Sequence, residues 1–117
     1  MPNPIRRSFA VAIALLALGV MPAEAGDCTG RVVGVRPLSQ YDHDEGRGFL
    51  AVRTGPSTRY RQVGELYRGD KVAIWDRQGN WYEVACMSGH CTWPEWGRPR
   101  PHGWAYAGYI RARGDCP

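Results

Sequence analysis

Residues 49–81, FLAVRTGPSTRYRQVGELYRGDKVAIWDRQGNW, decide the fold. The stretch opens on an apolar run, Phe49-Leu50-Ala51-Val52, and turns at Thr54-Gly55-Pro56-Ser57, where Pro presets φ and Gly tolerates positive φ. Val63-Gly64-Glu65-Leu66 reads as a second strand, closed by Arg68-Gly69-Asp70. Lys71-Val72-Ala73-Ile74-Trp75 is a third, rich in the branched and aromatic residues that suit a pleated surface. Gln78-Gly79-Asn80 turns it back into Trp81-Tyr82-Glu83-Val84-Ala85-Cys86. Turns this close together between runs this short predict an all-β domain, a small antiparallel barrel or sandwich.

Several of these elements recur in one order. Val52-Arg53-Thr54-Gly55-Pro56-Ser57, Gly64-x-Leu66, Gly69-Asp70-x-Val72, Gly79-x-Trp81-Tyr82-x-Val84 and Gly103-Trp104-Ala105-x-x-x-Tyr109-Ile110 together resemble the bacterial SH3 (SH3b) domain, over about half of the chain. The resemblance implies an SH3-like antiparallel β-barrel over residues 49–117. The pattern departs between Ala85 and Gly103, where a short hairpin is usual and this chain is longer.

Outside that stretch, the 117 residues allow one domain. Arg6-Arg7, an apolar run from Phe9 to Val20 and Ala23-Glu24-Ala25 form the charged, apolar and small-residue regions of a signal peptide. The run is too short to span a bilayer. Cleavage is expected after Ala25, with no membrane span left and the protein in the periplasm or outside the cell. Asp27 before Cys28 spoils a lipidation site. The formal net charge of +4 is too mild to argue for nucleic acid. Residues 26–48 are expected to supply an extra N-terminal strand, around Arg31–Arg36, and a polar linker over Ser39–Gly48. The acidic residues of that linker (Asp42, Asp44 and Glu45) do not have the spacing of a calcium loop.

All four cysteines follow the cleavage site, and an even count in a small exported domain reads as a disulfide framework. Four cysteines allow three connectivities. Cys86 and Cys91 flank a tight segment, while Cys28 and Cys116 stand at the ends that a small barrel brings together. The pairs Cys28–Cys116 and Cys86–Cys91 are therefore expected. The competing metal set of Cys86, His90, Cys91 and His102 lacks a matched second pair of ligands, so no metal and no cofactor are expected.

Alternation puts Val72 and Ile74 on one face, and Tyr82, Val84 and Cys86 on one face of the next strand, with Trp81 and Glu83 turned away. The expected core is Val52, Leu66, Val72, Ile74, Val84, Ala105 and Ile110; Trp75 could cap one end of the barrel, a place where a Trp more often packs than recognises a ligand. The resemblance implies that Tyr60, Trp81 and Tyr109 converge on one groove, with Arg53 or Arg59 at its rim. Aromatic walls suit extended ligands by offering broad apolar faces with a polar edge. Trp104 and Tyr82 read equally as core aromatics. The insertion over 92–102 holds Trp93 and Trp96 among three prolines, which exclude a regular helix or central strand. Its indoles either fold back on the barrel or face a partner, and its Arg-Pro-Arg-Pro either lies free or fills the groove.

These readings support two functions. In the first, an exported, monomeric, non-catalytic module holds a peptide or a peptidoglycan component in the aromatic groove. In the second, a periplasmic inhibitor, immunity or assembly factor captures a protein through Trp93 and Trp96. Catalysis is disfavoured, because disulfides consume every thiol and no nucleophile–base motif is present.

Overall fold

The computed structural model describes residues 27–92 and 100–117. The expected signal peptide, and Trp93 and Trp96 of the insertion, lie outside the described residues. Among the described residues seven strands form one antiparallel sheet: β1 (Thr29–Val32), β2 (Leu50–Arg53), β3 (Gln62–Leu66), β4 (Lys71–Gln78), β5 (Trp81–Ser88), β6 (His102–Tyr106) and β7 (Ile110–Arg113). Their spatial order is β3-β2-β6-β5-β4-β1-β7. Every strand contributes to a single buried cluster, which includes Val32, Val52, Leu66, Val72, Val84, Ala105 and Ile110. A flat sheet cannot bring its two edges to one core, so the sheet curls around it, as the small barrel requires. All seven expected core residues are buried.

The extra N-terminal strand is present but starts two residues earlier than the branched run suggested, at Thr29, and ends at Val32. It lies between β4 and β7 and pairs with both. Val33 and Gly34 then leave the ladder, their backbone N–H groups donating to the Tyr109 carbonyl. The two expected disulfides are formed, Cys28–Cys116 across 88 positions and Cys86–Cys91 across 5.

Alternation holds along β4 only as far as Ile74. The β4–β5 register slips between Ile74 and Asp76, leaving Trp75 as the extra residue of a bulge. Its indole is 60 % exposed and meets the edge of His102, so it packs outside the barrel and does not cap it. After the bulge the strand runs on exposed to Gln78.

Residues 39–48 are not the solvated linker that their composition suggests. Asp42 and Arg47 form an antiparallel bridge that closes a tight turn. Tyr41 packs on Phe49 and Tyr67, and His43 stacks on Phe49 with ring centroids 5.7 Å apart. The turn is therefore docked through its rings on Phe49 and Tyr67, with Tyr41 and Asp42 half-buried, Gly48 buried and residues 43–47 exposed. Polar composition hid this, because two rings anchor an otherwise hydrophilic segment.

Candidate functional site

A groove of about 670 Å³ opens where the start of β5, the end of β6 and the turn after β6 meet β2 and the docked 39–48 turn. Its aromatic wall follows from strand register. Trp81 is the first residue of β5 and lies opposite Tyr106, the last of β6. Their rings meet edge to face at 5.8 Å, and Tyr106 meets Tyr109 at 5.5 Å. Tyr109 ends a 3-10 turn, Ala107–Tyr109, which the Ala107 N–H anchors to the Asn80 carbonyl. Tyr106 and Tyr109 are each about 40 % exposed, so the row Trp81–Tyr106–Tyr109 continues the indole with two accessible phenols.

The docked turn supplies a polar wall: His43, Asp44 and Glu45, with Phe49 stacked on His43. A buried carboxylate sets this wall. The Glu65 side chain is almost fully enclosed, at 1 % exposure, and accepts hydrogen bonds from the Tyr41 and Tyr67 hydroxyls at 2.8 and 2.9 Å. The Nδ1 of His43 stands 2.6 Å from its other oxygen. Burying a carboxylate is unfavourable unless such partners surround it. The hydrogen bond to Glu65 raises the His43 pKa above its ordinary value of 6.5, against a smaller opposing effect of desolvation. The nearby Asp44 and Asp42 push the same way.

Of the residues expected in the groove, the structure brings together Trp81, Tyr109 and Arg53. Arg53 reaches it from β2, its Nη1 donating to the Tyr60 carbonyl at 3.0 Å. Tyr60 and Arg59 do not line the groove, which corrects the expected convergence. The Tyr60 ring lies over Gly55, so close that a Cβ there would sit 2.6 Å from three ring atoms. The glycine of the Thr-Gly-Pro turn thus makes room for this phenol, and the arm folds on itself away from the other rings. Arg59 is exposed on the same arm, its N–H bonded to the Ser57 hydroxyl.

The sequence reading missed Tyr106, Phe49 and the His43–Glu45 wall. Tyr106 shares a strand face with Trp104 and points away from buried Ala105, a signal that alternation carries. What alternation lacks is the β5–β6 register, hidden by the insertion between the two strands. Trp104 is half-buried opposite Arg53 and Glu83 and does not line the groove. At the near end of the insertion Pro101 is buried against Gly64, outside the groove lining, and its carbonyl accepts from the Cys86 N–H.

The groove brings three kinds of chemical group together. Rings offer apolar faces, Asp44 and Glu45 offer negative charge, and Arg53 offers positive charge. Among the described residues no cysteine is free and no helix is long and apolar enough to cross a membrane. A family model described as bacterial SH3 domain matches residues 48–111, more than half of the chain. No curated protein and no solved structure shows a significant match.

Proposed function

Because the chain belongs to the bacterial SH3 domain family, a family of binding modules, we propose that it is an exported, monomeric and non-catalytic member that holds a peptide or peptidoglycan component in the groove of Trp81, Tyr106 and Tyr109. The observation that carries this reading is the row of three rings lining one open groove together with the carboxylate pair Asp44 and Glu45. An extended peptide lays apolar or sugar faces on the rings, sets an amine against Asp44 and Glu45, and sets a carboxylate against Arg53. Peptides cross-linked into a cell wall carry both kinds of end group. Fold alone does not fix the ligand, so the ligand class rests on this chemistry and on analogy with the family.

Export is supported by the disulfides, which persist in oxidising compartments. A non-catalytic role is supported by the bonding of all four thiols in disulfides, which leaves no thiolate nucleophile among the described residues. The second reading, capture of a periplasmic protein through Trp93 and Trp96, rests on residues outside those described.

Co-sedimentation with purified sacculi, alongside a pull-down from periplasmic extract, separates the two. The groove reading expects the protein in the sacculus pellet and Trp81→Ala in the supernatant. Retention of Trp81→Ala in the pellet, with loss on joint replacement of Trp93 and Trp96 by Ala, overturns it.

A further inference from the structure

A second feature lies on the other half of the sheet. The register of β1 sets Arg31 directly opposite Lys71 of β4 on one side and Arg111 of β7 on the other. Arg113, opposite Thr29, follows two residues on and shares the same face. Gly30 and Val32, which alternate with Arg31, are buried, so this face points outward. Arg31, Arg111 and Arg113 are exposed and Lys71 is half-buried.

Like charges directly opposite one another destabilise a sheet. Here three stand in a row across three strands, and among the described residues no carboxylate pairs with them. The ion pairs among the described residues are His43–Glu65, Arg47–Asp42 and His102–Glu83, all elsewhere. Arg31 is held in place by a 2.8 Å hydrogen bond from Nη1 to the Gly69 carbonyl, which leaves its other donors available. The four cations, with Thr29 and Val33, line a concavity of about 420 Å³ that shares no residue with the aromatic groove.

The shape and lining choose the occupant. A flat lipid surface cannot enter a concavity, and a membrane-binding face sets bulky apolar side chains beside its cations. Val33 is the one large apolar side chain in this lining. A chain-like anion fits instead. Guanidinium forks take carboxylates in bidentate fashion. Neighbouring strands are spaced about 4.8 Å apart, on the scale of the step from one sugar to the next. We propose that the row Lys71–Arg31–Arg111, with Arg113, is a second binding surface, independent of the aromatic groove, for a linear acidic glycan with carboxylates along its length.

The test is fluorescence anisotropy of labelled polygalacturonate oligomers titrated with the disulfide-bonded protein. The wild type is expected to bind with an affinity that falls steeply with salt, as counterions are released. The triple variant Arg31→Gln, Lys71→Gln, Arg111→Gln is expected to lose about tenfold or more in affinity and to show a shallower salt dependence. Its melting temperature should change little, because relief of the repulsion in the row offsets loss of the Arg31–Gly69 hydrogen bond; a merely structural role for the cations would lower it markedly. Trp81→Ala should bind the polymer as the wild type does. Unchanged affinity in the triple variant, salt-independent binding, or equal loss in Trp81→Ala would overturn the proposal. So would capture by phosphatidylglycerol vesicles with no affinity for the polymer.

Discussion

Two buried carboxylates hold the parts of this protein that composition describes least well. Asp70 is fully enclosed, and its oxygens accept the backbone N–H groups of Tyr67 and His90 at 2.7 and 2.8 Å. Burial pushes its carboxyl above the usual value, while those donors pull it back down. Asp70→Ala leaves both donors without their acceptor, and a loss of about 2 kcal/mol or more is expected in denaturant unfolding, with a smaller loss for Asp70→Asn. Equal stability of Asp70→Ala and wild type would show that water replaces the side chain. Glu65 does the same for the docked turn, with a consequence for pH. The folded His43 titrates above its unfolded value of 6.5, so its pairing adds stability that is complete below about that pH and is lost as pH rises through the raised value. Melting temperatures of the wild type should therefore decline across that window, and those of His43→Gln should decline less. Parallel declines in the two proteins would exclude the His43–Glu65 contact as the cause.

At the scale of elements, what the sequence made legible was whatever depends on neighbours along one strand. The inward positions of β4 and β5 followed from alternation, because each strand has one face in the core and one outside. Positions that depend on register between strands were not legible. Tyr106 reaches the groove because it pairs with Trp81, and Tyr60 leaves it because its ring settles on Gly55. The 39–48 turn shows the same limit, since Tyr41 and His43 find their partner in Glu65, 24 and 22 positions away. The Cys86–Cys91 bridge is an element-scale device, tying the end of β5 to the 3-10 turn His90–Thr92. Its loop is short, so replacing both cysteines by Ser is expected to cost about 2 kcal/mol in the chain-entropy view. Calorimetry of that variant checks the figure, and an unfolded variant would mean that the bridge holds far more than its own loop.

For the whole molecule, the Cys28–Cys116 bridge matters more. It joins the two ends of the described chain across 88 positions and fixes β1 in place between β4 and β7. The same chain-entropy view assigns it about 4–5 kcal/mol, a large share of the stability of so small a core. Replacing Cys28 and Cys116 by Ser should thus lower the melting temperature further than replacing Cys86 and Cys91, and the reverse order would contradict this division. Held together this way, the barrel presents two faces of different chemistry. One is the aromatic groove over β2, β5 and β6; the other is the cationic row over β1, β4 and β7. The measurement that bears most directly on the groove is amide and indole chemical-shift mapping while soluble peptidoglycan fragments are titrated into the labelled protein. The largest shifts are expected at Trp81, Tyr106, Tyr109 and the 43–45 turn, all saturating together. Saturable shifts confined to residues 92–102, or to β1 and β7, would contradict it.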